Sequence, residues 1–133
     1  MAAGPKDTAV RELFFEDGLV GCPTWRRFEL DADAVGTAIH ALRGLDEDVA
    51  LYVCDPFTIV PDYEFEVGDA EAAALELRDP SDALVLVVLT VRTDPAGVTA
   101  NLLGPLVIND RTGRGRQIVL ATTDYSARHP VAA

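Results

Sequence analysis

ALVLVVLTVRT, residues 83–93, is the most strand-like stretch of this chain. Its first seven residues are all apolar, and leucine alternates there with β-branched valine. An unbroken apolar run of this kind is typical of a strand that is buried on both faces. We therefore predict a central strand over Ala83–Thr93. Such a strand needs partners along its edges, and the flanking sequence supplies candidates.

Short apolar runs separated by turn residues predict further strands on both sides, a pattern typical of a small sandwich or barrel. Residues 63–67 alternate apolar and acidic side chains, which predicts one buried face and one row of carboxylates. Gly104-Pro105 interrupts another run, and we expect a bulge or a sheet edge there because proline cannot donate to a ladder. The predicted strands are Val10–Phe15, Trp25–Leu30, Ala38–Leu42, Val49–Cys54, Tyr63–Val67, Val98–Asn109 (interrupted) and Arg116–Ala121.

One helix is predicted over Ala70–Leu77, where alanine, leucine and glutamate favour helical backbone. Asp69 is the expected N-cap, and Arg78-Asp79-Pro80 is expected to end the helix. A weaker helical pattern covers Ala32–Ala41. At 133 residues the chain has the size of a single domain, with residues 1–9 expected to form a frayed terminus.

Charge narrows the range of functions. The formal net charge is −11 and the isoelectric point is about 4.4. This excess of negative charge disfavours direct binding of nucleic acid, whose phosphates require basic residues, and favours encounter with a basic protein. Cys22 and Cys54 are too few for a disulfide framework or a zinc site. The chain has no signal-like or membrane-spanning apolar stretch, so it is expected to be soluble and cytoplasmic. It is also expected to be a monomer on its own.

The acidic charge is concentrated between Asp46 and Asp82, where twelve acids accompany one basic residue, Arg78. Within this region, residues 55–66 read DPFTIVPDYEFE, so that carboxylates alternate with aromatic rings. We call residues 55–66 the acidic-aromatic segment. It carries too many charges for a core strand and too many rings for a plain solvated loop. A docking surface for a basic protein fits this composition.

Other interpretations of the same residues remain open. Asp62, Glu64 and Glu66 could include the general acid and base of a small-barrel enzyme, or they could form a solvated face. The rings could belong to the core, and the chain could be a purely structural binding module. No nucleophile motif, metal-ligand spacing or phosphate-binding glycine loop is present, so no catalytic residue, metal or cofactor is predicted.

Four motifs, in this order and spacing, resemble the flagellar assembly factor FliW family. They are EDGLVG at 16–21, DPF with PDYE at 55–57 and 61–64, TANLLGPLVIN at 99–109, and QIVL at 117–120. The resemblance extends from about Leu13 to Pro130. It implies an all-β, mainly antiparallel fold, a small β-barrel-like domain capped by a short α-helix. It also implies a regulatory protein, not an enzyme, that binds the carbon storage regulator CsrA, relieves its repression of translation and binds flagellin.

The resemblance and the composition together predict partner binding in the acidic-aromatic segment and at Asn101, whose side chain could instead satisfy backbone groups of a bulge or turn. The chain differs from the family pattern at Cys22, where a phenylalanine is usual, and at Leu42-Arg43-Gly44, where Leu-Gln-Ser is common. Both differences bear on the choice of partner rather than on the fold. The predicted partner-binding residues are Phe57, Asp62, Tyr63, Glu64, Glu66 and Asn101.

Overall fold

A computed structural model describes residues 10–31, 39–93, 96–121 and 123–131 of the chain. The expected frayed terminus, residues 1–9, lies outside the described residues. Most of the helical pattern at Ala32–Ala41 also lies outside them. The last three residues of that pattern, 39–41, belong to a strand and not to a helix.

The described residues form nine strands and one α-helix. Most of the predicted strands are confirmed with boundaries shifted by one to four residues, and two of them, at Val10–Phe15 and Ala83–Thr93, have the predicted limits. The helix, α1, spans Asp69–Ala74. The strands are β1 Val10–Phe15, β2 Arg27–Asp31, β3 Ile39–Gly44, β4 Ala50–Cys54, β5 Ala83–Thr93, β6 Ala96–Ala100, β7 Leu106–Asn109, β8 Arg114–Gln117 and β9 His129–Pro130.

Seven of these strands close into a barrel. The sheet runs in the order β4-β3-β2-β1-β8-β7-β5, and β4 pairs with β5 to complete the ring. All pairs are antiparallel except β1 with β8. Strands β6 and β9 extend the sheet beyond β5. The predicted all-β barrel with one short helix is therefore confirmed.

The long strand β5 holds the barrel together because it has partners along both edges. Ala83–Leu86 pair with β7, and Leu89–Thr93 pair with β6, while residues 87–89 pair with β4. The break between β6 and β7 falls at residues 101–105, as the glycine-proline pair predicts. The expected burial of β5 on both faces is wrong for its last four residues, which are exposed.

Burial of β5 on two faces creates a core inside the barrel and two clusters outside it. The inner core includes the edge-to-face pair Phe15 and Phe28, whose ring centroids are 5.8 Å apart, together with Leu86 of β5. On the outer face, Val87 and Leu89 pack with Tyr63 in a second cluster. A third cluster lies at the C-terminal end of α1, where Leu75 packs with Val107 and Ile118. The outer clusters explain why residues 59–77 cover the barrel wall.

Helix α1 differs from its prediction at both ends. Gly68, not Asp69, is the N-cap, and the Glu71 carboxylate accepts a hydrogen bond from the Gly68 amide at 3.1 Å. At the C-terminal end, the Leu77 amide donates a hydrogen bond to Ala72 O, and the helix ends in a Schellman motif. Glu76 adopts a left-handed conformation with φ of 58°, and this ends the helix before the predicted limit.

Asn109 accounts for the stability of this unusual turn. It is completely buried, and its side-chain amide donates to Leu75 O at 2.8 Å and to Glu76 O at 3.2 Å. Its side-chain oxygen accepts hydrogen bonds from the amides of Arg111 and Thr112. A single side chain therefore ties the end of α1 to the β7–β8 hairpin.

We expect Glu76→Gly to raise the free energy of unfolding by about 1 kcal/mol, because a left-handed backbone penalises residues that carry a Cβ atom. Glu76→Ala is the matched control, since it removes the carboxylate and keeps the Cβ atom. Urea denaturation of both variants measures the difference. Equal stability of the two would show that the turn carries no such penalty.

The predicted strand at Tyr63–Val67 is wrong. Burial alternates as expected, with Tyr63 buried and Glu64 and Glu66 exposed, but the segment pairs with no strand among the described residues. Instead it crosses the outer wall of the barrel, and the amide of Glu64 donates to the Tyr125 hydroxyl. Alternating polarity indicates that one face of a segment is buried, but it does not indicate whether a neighbouring strand is hydrogen-bonded to it. The sequence therefore could not distinguish a paired strand from an unpaired segment with the same burial pattern.

Candidate partner-binding surface

The acidic-aromatic segment begins with a tight turn that displays Phe57. Asp55 caps a 3₁₀ turn at Pro56–Thr58 by accepting a hydrogen bond from the Phe57 amide at 2.8 Å. Proline at the first position favours this turn because its φ is already close to the helical value. The Phe57 side chain remains 45% exposed. A rigid turn that holds a large ring at the surface is a suitable anchor for a protein partner.

Tyr63 lies at the centre of an aromatic cluster beneath this turn. Its ring centroid is 6.0 Å from that of Phe57, 5.5 Å from that of Phe65 and 4.6 Å from that of Tyr125. Its hydroxyl donates a hydrogen bond to Leu102 O at 2.7 Å. Burial, with a smaller contribution from Tyr125, raises the pKa of the Tyr63 hydroxyl well above its usual value.

The structure places Tyr63 in the core and not on the surface. Only 3% of the residue is exposed, so its ring is not available for the direct partner contact predicted from the sequence. Its position instead fixes the neighbours on either side. Phe57 contacts one side of the ring and Phe65 another, which holds both side chains against the barrel wall.

The carboxylates of the segment form no ion pair with any residue that the structure describes. Asp62, Glu64 and Glu66 are exposed, as expected for a row facing solvent. Every ion pair in the described part of the chain uses an acid outside residues 47–79. The pairs are Arg11–Asp110, Arg27–Glu12, Arg27–Asp46, Arg43–Asp31, Arg111–Asp82, Arg114–Glu16 and Arg116–Asp17.

Six arginines thus pair with acids elsewhere, and within the described residues no ion pair involves the acidic-aromatic segment. Exposed pairs contribute little to stability, but they cancel the local field around the strands that carry them. The negative potential of the molecule is therefore expected to be strongest along residues 55–76, none of which forms an ion pair within the described part of the chain.

A groove with an apolar lining runs beside the segment. Its volume is about 490 Å³, and we call it the aromatic groove. Glu64, Arg78 and Asp79 contribute polar groups to it. Its apolar lining includes Phe57, Phe65, Val67, Leu77, Ala83 and Val85. An apolar groove beside unpaired carboxylates fits a partner segment that carries both apolar and basic side chains.

Asn101 has a structural task at the break between β6 and β7. Its side-chain oxygen accepts hydrogen bonds from the amides of Leu103 and Gly104, at 3.1 and 3.0 Å. The residue is half-buried and lines a shallow cavity with Val20 and Val119. The structure therefore does not bring Asn101 together with the other predicted site residues in the aromatic groove.

Tyr125 is a residue of the site that the sequence reasoning missed. Its ring packs on Tyr63, and its hydroxyl accepts the Glu64 amide at 3.0 Å. The segment that carries it is anchored by Leu102 N–H to Ser126 O and by the short strand β9. Tyr125 stands alone among polar residues, so no hydrophobic periodicity marks its position. Its aromatic side chain is the only feature of the sequence that indicates burial.

Cys54 is buried beside the turn, and burial raises the pKa of its thiol from 9.0 to about 11. We expect it to resist thiol reagents at pH 8 in the folded chain, while the half-buried Cys22 reacts first. Titration with Ellman's reagent before and after denaturation measures both thiols. The raised pKa favours the folded state below pH 9, and this advantage is lost as the pH rises towards 11. Equal reaction rates of the two thiols would contradict the buried position of Cys54.

The arrangement required by a carboxylate enzyme is not found at the predicted residues. Asp62 is exposed and does not lie buried beside a second acid, so nothing here separates two carboxyls into acid and base. Among the described residues, no group of three or more His, Cys, Asp or Glu side chains is arranged to hold a metal ion. In the same residues, no helix has the length and apolar character that crossing a membrane requires.

Comparison with known proteins identifies the family to which the chain is similar. The model of the family described as "FliW protein" matches residues 4–131. The flagellar assembly factor FliW of Treponema pallidum (strain Nichols) is 33% identical over 122 residues, which cover 91% of this chain and 81% of that protein. The corresponding factor of Natranaerobius thermophilus is 34% identical over 121 residues, covering 90% of this chain and 80% of that protein.

The fold agrees with these sequence matches. A crystal structure of the flagellar assembly factor FliW superimposes with a TM-score of 0.82 at 28% identity, covering 90% of this chain and 84% of that one. The similarity thus extends over the barrel, the helix and the acidic-aromatic segment. This chain belongs to the FliW family of flagellar assembly factors.

Proposed function

We propose that this protein is a cytoplasmic regulator of flagellum assembly that binds and antagonises the translational repressor CsrA and also binds flagellin. In this scheme free flagellin captures the factor, which releases CsrA and lowers flagellin synthesis. Family membership supports the assembly role, and the resemblance of the motifs supports the choice of partners.

The unpaired charge of the acidic-aromatic segment is the observation that carries this proposal. CsrA binds RNA and must present basic residues for that purpose. A surface whose carboxylates are not neutralised by the chain's own arginines attracts such a protein over a distance of about 10 Å at moderate salt. Phe57 and the aromatic groove would then supply contact area and slow dissociation.

We expect the double variant Glu64→Lys, Glu66→Lys to fold normally and to associate with CsrA about tenfold more slowly at low salt. Both side chains are exposed and pair with no basic residue in the described ranges, so we expect the fold to tolerate loss of their charge. Stopped-flow or surface-plasmon measurement of the association rate, at low and at high salt, tests this. The difference from the unmodified chain should shrink as salt is added.

The matched control is Glu47→Lys, Asp48→Lys in the β3–β4 turn, which changes the net charge by the same amount at another place. Neither acid forms an ion pair with another described residue. This control should slow association much less than the Glu64→Lys, Glu66→Lys variant does. Equal slowing by the two variants would mean that only net charge matters, and an unchanged rate in the Glu64→Lys, Glu66→Lys variant would count against the charge mechanism.

A further inference from the structure

Two segments of the chain contain backbone amides that donate no hydrogen bond within the described residues. The first is residues 64–67, whose amides at Phe65, Glu66 and Val67 donate no hydrogen bond within the described residues. Only the first amide of this stretch, that of Glu64, is bonded. Free amides in extended backbone are the groups that pair with an added strand.

The second segment continues strand β8 beyond its assigned end. Ile118 N–H bonds to Pro105 O, and Leu120 N–H bonds to Leu103 O, both at 2.9 Å. Alternate residues of an extended strand point their amides to opposite edges. The amides of Val119 and Ala121 therefore lie on the other edge, and they donate no hydrogen bond within the described residues.

These two segments line a common groove, which we call the edge groove. Its volume is about 470 Å³, and residues 118–121 form one side while residues 64–66, 68 and 71 form the other. It differs from the aromatic groove, although both include Glu64 and Phe65. An unbonded strand edge inside a groove of this size offers room for an added segment of backbone.

The side chains around the edge groove indicate what such a segment would carry. Glu64, Glu66 and Glu71 line the groove, and no basic residue does. Phe65, Ile118 and Leu120 supply apolar surface. A second copy of this chain is a poor occupant because it would place its own glutamates against these, and like charges on paired strands are destabilising.

We propose that the edge groove binds an extended basic segment of a partner protein, which adds as a β-strand along residues 118–121. The amides of Val119 and Ala121 would donate to its carbonyl groups, and its lysine or arginine side chains would face the three glutamates. The backbone bonds supply affinity and the glutamates select for basic side chains. This mode of binding goes beyond the proposed function, because it specifies a peptide conformation and does not depend on either named partner.

A short acetylated and amidated peptide of alternating lysine and valine is the probe. Titrated at millimolar concentration against the labelled full-length chain, it should shift the NMR amide signals of Val119 and Ala121. The same peptide methylated at its backbone nitrogens, and a glutamate-valine peptide, should each bind about tenfold more weakly or worse. Absence of shifts with the lysine peptide, or equal shifts with its methylated form, would overturn the proposal.

Variants of the chain provide an independent test of the same proposal. Val119→Pro removes an amide that donates no hydrogen bond among the described residues, so it should abolish the shifts at Ala121, whereas Val119→Ala should preserve them. Glu66→Lys should weaken binding of the lysine peptide, and Asp48→Lys should not. If the spectrum of Val119→Pro shows an unfolded chain, the methylated peptide on the unmodified chain decides. Since no probe contains CsrA or flagellin, failure here leaves the proposed function standing.

Discussion

Replacing Tyr63 with alanine should lower the free energy of unfolding by about 3–5 kcal/mol, the usual cost of removing a buried aromatic side chain. The ring contacts Phe57, Phe65 and Tyr125, so its removal leaves a cavity where three elements meet. The hydrogen bond to Leu102 O is lost as well. Urea denaturation followed by circular dichroism measures the change in stability.

Tyr63→Phe separates the ring from its hydroxyl. This variant keeps the packing and leaves Leu102 O without its donor, so we expect a loss of about 1–2 kcal/mol. A loss below about 1 kcal/mol for Tyr63→Ala would contradict the buried position of the ring. It would return Tyr63 to the surface, where the sequence analysis placed it as a partner contact.

Replacing Phe57 with alanine should weaken binding of CsrA about thirtyfold while changing stability by about 1 kcal/mol or less. Phe57 is the exposed ring of the acidic-aromatic segment, and the capped turn holds it in place before any partner arrives. Anchors that are already ordered lose little entropy on binding, which is why a single one can contribute so much. Isothermal titration calorimetry with purified CsrA measures the affinity.

Leu45→Ala is the control for this variant. Leu45 lies in the β3–β4 turn and is 40% exposed, close to the exposure of Phe57. Its truncation removes a comparable exposed apolar side chain from another part of the surface, and it should leave the affinity unchanged. Similar losses from both variants would show that the effect of Phe57→Ala is not specific to the acidic-aromatic segment.

Much of the barrel could be predicted from the sequence because its strands carry strong local signals. The apolar run at Ala83–Thr93 marks a strand buried on two faces, and the structure assigns those faces to the inner core and to the outer clusters. Gly104-Pro105 marks the break between β6 and β7 for an equally local reason. Closure of the barrel depends instead on the pairing of β4 with β5, a contact between distant residues that no local pattern records.

The site was harder to predict because its parts look alike in sequence. Phe57, Tyr63 and Phe65 are all rings among acids, yet the first is exposed and the second is buried. What separates them is the capped turn at Pro56–Thr58 and the hydroxyl partner Leu102 O, which lies 39 residues away in the chain. The contribution of Tyr125 depends on the same long-range packing.

The end of helix α1 illustrates a third kind of difficulty. The composition of residues 70–77 favours helix throughout, but the helix ends before Glu76, which has a left-handed backbone. The side-chain amide of Asn109 donates hydrogen bonds to the carbonyl oxygens of Leu75 and Glu76 and holds this conformation. A tertiary hydrogen bond overrides local propensity here. The distribution of ion pairs cannot be read from composition either, since it depends on which distant acids the fold brings next to each arginine.

Hydrogen-exchange mass spectrometry of the chain, alone and with purified CsrA at low salt, tests the central claim most directly. If the acidic-aromatic segment is the docking surface for a basic partner, exchange should slow in residues 55–67 and the protection should fade as salt is raised. Protection confined to the strands with ion-paired arginines, β1, β2, β3 and β8, with residues 55–67 unchanged, would contradict it.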